Sequence, residues 1–223
     1  MEKSKYDLME EESRRSTMLL LMIVGKAYAS YQKLKKNKID RDRFNDTFYS
    51  TVDKGLPHVK MMAHIGYENS LDLEKVDKEV LYKYMIDNGL KREEFIKNYK
   101  NNINTYAKII LAFDIIEEEN INIYKVLNLE NLRGLIKGNL SGINNILIEN
   151  GYRLEDKNRT LLDKIISDNF DLNDLDDSEK ARLNSNHREF MNQNIKGMSK
   201  KSTYNQVYGF AKKLGSKKSV VDL

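Results

Sequence analysis

The sequence predicts an all-α protein, a multi-helix bundle of about eight to ten helices around two central apolar helices. Three observations carry this prediction. Apolar side chains recur at helical spacing through two long stretches, Ser16 to Leu34 and Lys91 to Glu118. No stretch alternates β-branched and polar residues between hairpin turns. The 223 residues hold a single proline, which suits long helices because an internal proline costs a helix about 3 kcal/mol.

The first helix is expected from about Tyr6 to Lys36. Its apolar run Met18–Val24 continues as a stripe through Ala27, Tyr31 and Leu34, so it reads as a central core helix. Lys33, Lys35 and Lys36 at its end complement the helix dipole. A second helix begins near Asp40 and stops by Gly55, and Pro57 suits the first turn of a short third helix, His58 to Ile65. Ser70 or Asp72 can cap the next helix, whose face carries Leu73, Val76, Val80 and Tyr84, and Gly89 is its stop.

The second central helix follows. Phe95, Tyr99, Ile103, Tyr106, Ile110 and Phe113 line one side of it. Asp114 interrupts this apolar stretch and reads as a carboxylate at the margin or satisfied by a partner. Leu129–Lys137 and Leu140–Asn150 read as short helices, with Gly151 as a C-cap. Asn158 or Thr160 opens another helix, and Ser178 begins a polar one that runs to about Ile195. A last helix is expected from Ser202 to Leu214, stopped by Gly215. The acidic linker from Asp171 to Asp177 suggests a boundary, with residues 1–170 as the core bundle and 178–223 as a smaller helical segment with a basic tail.

Composition narrows the function. The chain has no cysteine, which removes disulfides and thiolate zinc sites. Its net charge of +4 is mild and does not demand a polyanion partner. Met18–Val24 with Ala27-Tyr28-Ala29 imitates a signal peptide, but acidic residues Asp7, Glu10, Glu11 and Glu12 precede it. The run is also far short of the ~20 residues of a membrane span. The expectation is a soluble cytoplasmic protein with no membrane contact. High lysine, asparagine and isoleucine usage fits an AT-rich genome and a small regulatory protein of a mobile element.

Motifs are few. No P-loop or dinucleotide fingerprint is present, and no His-Glu-x-x-His spacing occurs, so neither a cofactor nor a metal is expected. The three histidines include His58 and His64, which fall on different faces of a helix. Arg182 and His187 form Arg-x-x-x-x-His in the predicted polar helix. This pair resembles the Arg-x(4–6)-His motif of the all-helical HEPN ribonucleases. The resemblance implies metal-independent RNA cleavage at a composite site, usually across a dimer. His187 would then aid proton transfer and Arg182 would stabilise charge on the phosphate. That family usually has a polar residue directly after the arginine, where this chain has Leu183.

The C-terminal segment carries two further patterns. Residues 208–221 resemble a helix-turn-helix unit, with Ala211 at the helix contact, Gly215 in the turn and Phe210, Leu214 and Val221 buried. Lys196, Lys200, Lys201, Lys212, Lys213, Lys217 and Lys218 are interleaved with Tyr204, Tyr208 and Phe210. Lysines neutralise phosphates and aromatics stack on unpaired bases, so this segment is the candidate nucleic-acid contact. The expectation is a non-catalytic helical binding or regulatory protein that meets nucleic acid or a nucleoprotein partner there. The HEPN-like ribonuclease and a pure protein-interaction module are the alternatives.

Overall fold

In the computed structural model, the described residues are 5–126 and 143–195. They are helical, with no strand among them. Seven helices of two turns or more account for them: α1 (Lys5–Lys35), α2 (Arg41–Glu74), α3 (Lys78–Asp87), α4 (Arg92–Glu118), α5 (Ile143–Glu149), α6 (Asp156–Ile165) and α7 (Asp177–Asn194). A single helical turn at Ile123–Val126 and a 3-10 turn at Leu172–Asp174 join them. The expected number of eight to ten is therefore not reached among the described residues.

The expected helices Leu129–Lys137 and Ser202–Leu214 lie outside the described residues, and α2 accounts for one more. It runs unbroken through Pro57, where two helices were expected. Proline removes one N–H from the helical ladder, at a cost of about 3 kcal/mol. Packing on both sides of Pro57 outweighs that cost: Phe44 before it and Ala63, Ile65 and Tyr67 after it are all buried. Asp40 starts the helix as expected, accepting from the Arg43 N–H at 2.8 Å. Ser70 and Asp72 do not cap a following helix. Both lie inside α2, where the Ser70 hydroxyl bonds back to the Gly66 carbonyl at 2.9 Å. Asp77 caps α3 instead, accepting from the Glu79 N–H at 2.8 Å. Gly89 and Gly151, at φ +64° and +86°, end α3 and α5 as the sequence suggests.

α4 is the central helix. Phe95, Ile103, Ala107, Ile110, Leu111 and Ile115 are all buried along it. Phe95 packs with Leu73 of α2 and Met85 of α3, and the others pack with Ala63 and Tyr67 of α2, Leu161 and Ile165 of α6, and Leu183 of α7. A second cluster joins Met9 of α1, Ile65 of α2, and Met191 and Ile195 at the end of α7. α7 thus shares its buried side chains with the helices before it.

α1 corrects the other half of the prediction. It is not central. Its buried residues are Met9, Ser16 and Ser30, and it lies along the outside of α2. Met18, Leu21, Met22, Val24, Tyr28 and Tyr31 face solvent, between 41 and 69 % exposed. No described helix is long and apolar enough to cross a membrane.

Candidate functional site: two polar networks beside the last helix

α7 begins on a capping box. The Asp176 side chain accepts from the Glu179 N–H at 2.8 Å, and the Glu179 carboxylate accepts from the Asp176 N–H at 2.9 Å. This fixes the register in which Arg182 and His187 leave the helix. Five residues apart, they point about 140° away from each other. The structure accordingly places them in two different networks.

His187 faces α2 and is 4 % exposed. Its Nε2–H donates to Glu68 Oε2 at 2.5 Å, and its Nδ1 lies 3.1 Å from His64 Nδ1. One proton is shared across that second contact, because two bare ring nitrogens would repel at this distance. The His64 ring stacks on Phe190, with centroids 3.9 Å apart, and the edge of Tyr67 closes the other side of His187 at 5.0 Å. Glu68 also accepts from Lys5, and Lys5 reaches Asp72 at 3.3 Å. Asp72 accepts from the Tyr6 hydroxyl at 2.5 Å. The start of α1, the second half of α2 and the middle of α7 are thereby joined.

The environment sets the charges here. Burial, with the positive ends of His187 and Lys60 nearby, pushes His64 down to about 3, so its imidazole is neutral at physiological pH. Burial works to raise Glu68, but hydrogen bonds from His187 and Lys5 and their charges outweigh it and hold it at about 2. Glu68 is therefore a carboxylate.

Arg182 faces α4 and α6. Its Nε–H donates to Asp114, and an Nη1–H donates to Asn158 Oδ1 at 2.7 Å. Its Nη2 lies 2.6 Å from a Glu118 oxygen, an ion-pair contact. The angle there is too poor for a hydrogen bond, and Nη2 has no acceptor in line among the described residues. Asn186 also donates to Asp114, and Asn158 donates to Glu119 Oε1 at 2.6 Å. Burial raises the Asp114 carboxyl, against the pull of Arg182. The hydrogen bond from Lys157, ahead of the charge of Arg182, lowers Glu118. Asp114 thus has the partner its place in an apolar run called for.

Two cavities open beside these networks. One, of about 200 Å³, is lined by Lys60, His64, Asp114, Asn186, Glu189 and Phe190 among others. The other, of about 670 Å³, holds Arg182 and Lys157 among six carboxylates: Asp114, Glu117, Glu118, Asp156, Asp176 and Glu179. Such a lining repels phosphate. Among the described residues, no group of three or more histidine or acidic side chains is arranged to hold a metal ion.

The remaining site residues read from the sequence, Lys196, Lys200, Lys201, Tyr204, Tyr208, Lys212, Lys213, Lys217 and Lys218, lie outside the described residues, as does the helix-turn-helix pattern. Sequence reasoning missed His64, Glu68 and Asn158. His64 and Glu68 sit at i and i+4, one face of a helix, but the expected helix stopped at Ile65 and left Glu68 outside it. Asn158 was read as a helix cap, whereas it lies inside α6 and is buried. No family model, curated protein or solved structure matches this chain.

Proposed function

We propose that this chain is a non-catalytic helical binding protein of a regulatory kind, which engages a protein partner through the outer face of α1. The observation that carries this reading is the row of large apolar side chains, Met18, Leu21, Met22, Val24, Tyr28 and Tyr31, that α1 presents to water. Soluble domains rarely leave so continuous an apolar surface without a use for it.

The disposition of Arg182 and His187 supports a structural role for them. A ribonuclease needs a guanidinium free to meet a phosphate and an imidazole that reaches the attacking oxygen. Here the guanidinium is held by two carboxylates and an asparagine, in a cleft dominated by acids. The imidazole is buried and hydrogen-bonded at Nε2. A nucleic-acid contact by the C-terminal segment is the second reading, favoured by its seven interleaved lysines.

A salt-titrated binding assay against single-stranded RNA and duplex DNA, with the RNA then run on a denaturing gel, tests these together. Intact RNA is expected in every lane. Shortened RNA, lost in His187→Ala, would overturn the non-catalytic reading. Binding that weakens steeply with salt and disappears when Lys212, Lys213, Lys217 and Lys218 become glutamate would establish the second contact.

A further inference from the structure

The distribution of side chains around α1 is inverted for a helix with one partner. At 100° per residue, Ser16, Leu20, Ile23, Ala27, Ser30 and Leu34 share the side that meets α2. The Ser16 hydroxyl lies 3.3 Å from His58 Nδ1, and a Cβ on Gly55 of α2 would touch Leu20 and Ile23. The two residues of this middle stretch that are fully buried are both serines. The large side chains lie on the opposite side. Met18, Leu21, Met22 and Tyr28 surround Gly25 and Ala29, and all six are exposed. A Cβ at Gly25 would meet nothing within 4 Å.

We infer that this face of α1 is a homodimer interface, covered by the same face of a second copy of the chain. The inference rests on the reading of α1 as a protein-binding surface and names the partner.

Area supports a second copy. Met18, Leu21, Met22 and Tyr28, between 54 and 69 % exposed, with Gly25 and Ala29 between them, offer roughly 600 Å², and a stable interface takes about 600–1,000 Å² from each partner. One helix face alone thus reaches the low end of what a two-fold dimer needs. Shape supports it as well. A two-fold interface must be self-complementary, and a face with small residues along its midline and flexible methionines at the flanks meets that condition. Gly25 and Ala29 let two helix axes approach to about 8 Å, the close end of helix packing, while Met18 and Met22 adapt to fill the space beside them. The midline carries no charge, so two copies can meet there without burying an unpaired ion.

Sedimentation equilibrium of the full chain over a wide concentration range tests this. The expected result is a reversible dimer, twice the 26.1 kDa chain mass. The Leu21→Glu, Met22→Glu double variant is expected to be monomeric with unchanged helical circular dichroism. Because the chain has no cysteine, Gly25→Cys introduces a single thiol near the two-fold axis, and mild oxidation is expected to link two chains through it. A wild-type chain that stays at 26.1 kDa at every concentration would overturn the inference, and so would a dimer that the double variant leaves intact. In the monomeric case, thiol labelling of Met22→Cys separates the two levels of the argument. Labelling at the rate of an open thiol would leave α1 free for a different protein. Protection would mean that the chain covers this face itself, and the proposed function would fail as well.

Discussion

Gly66 sits where the Tyr106 ring of α4 crosses α2. A Cβ there would fall inside the ring carbons, so the glycine sets how closely the two longest core helices approach. Gly66→Ala gains helix propensity but forces the ring aside. Overpacking costs about 1–3 kcal/mol, and urea unfolding is expected to show a net loss within that range. No loss would mean the ring moves freely. His64 makes a second residue-scale prediction. Its ring titrates near 6.5 when unfolded but near 3 when folded, among Lys60, His187 and Glu68. Below pH 6.5 the unfolded chain takes up a proton that the folded chain refuses, so the stability from this group is full above pH 6.5 and falls toward pH 3. Glu68, lowered from 4.5 to about 2, contributes fully above 4.5 and loses its share only as pH drops toward 2. Denaturant midpoints measured from pH 7 to 5 are expected to fall in the wild type and to stay flatter in His64→Gln, with the acid loss below 4.5 common to both. An unchanged slope in the variant would contradict the assignment. The sequence left Asp114 two places, the margin of the apolar face or a partner, and its half-buried side chain paired with Arg182 combines them. The identity of that partner, 68 positions away, was not legible, since helical periodicity reports nothing beyond its own helix.

At the scale of elements, the sequence pattern located α4 and half of its buried stripe, with Tyr99, Tyr106 and Phe113 only half-buried, and misread α1 and α2. For α4, Phe95, Ile103 and Ile110 recur on one face and are buried there. For α1, the run Met18–Val24 was assigned to the interior because apolar surface is normally removed from water. The pattern gives the tendency to bury a face and not what buries it. For α2, Pro57 is a strong local stop signal, and only packing between distant helices overrides it. That gives a prediction for the element. Pro57→Ala restores an N–H to the ladder inside an otherwise continuous helix, so thermal unfolding is expected at a higher temperature, by an amount worth about 1–3 kcal/mol. A lower melting temperature would show that the proline is required for the path of α2 between α1 and α4.

Across the whole molecule, the two polar networks do what the short apolar stretches of α7 cannot. Its apolar anchors are few, with Leu183 and Met191 the buried ones, yet it is tied to α2 through His187 and to α4 and α6 through Arg182. A histidine and an arginine spaced as in a nuclease motif thus become the two ends of a structural clamp, and the outer face of α1 is the surface we propose for a partner. Loss of Arg182 alone would leave the partly buried Asp114 carboxylate with Asn186 but no cation, whereas removing both takes that charge away. The most direct test is a double-mutant cycle on unfolding free energy with Asp114→Ala, Arg182→Ala and the pair. The account predicts that the double variant is less damaged than the two single variants summed, with a coupling of about 1–3 kcal/mol. Additive losses with no coupling would show that Arg182 does not serve the fold through Asp114, and would return it to consideration as a residue held ready for a phosphate.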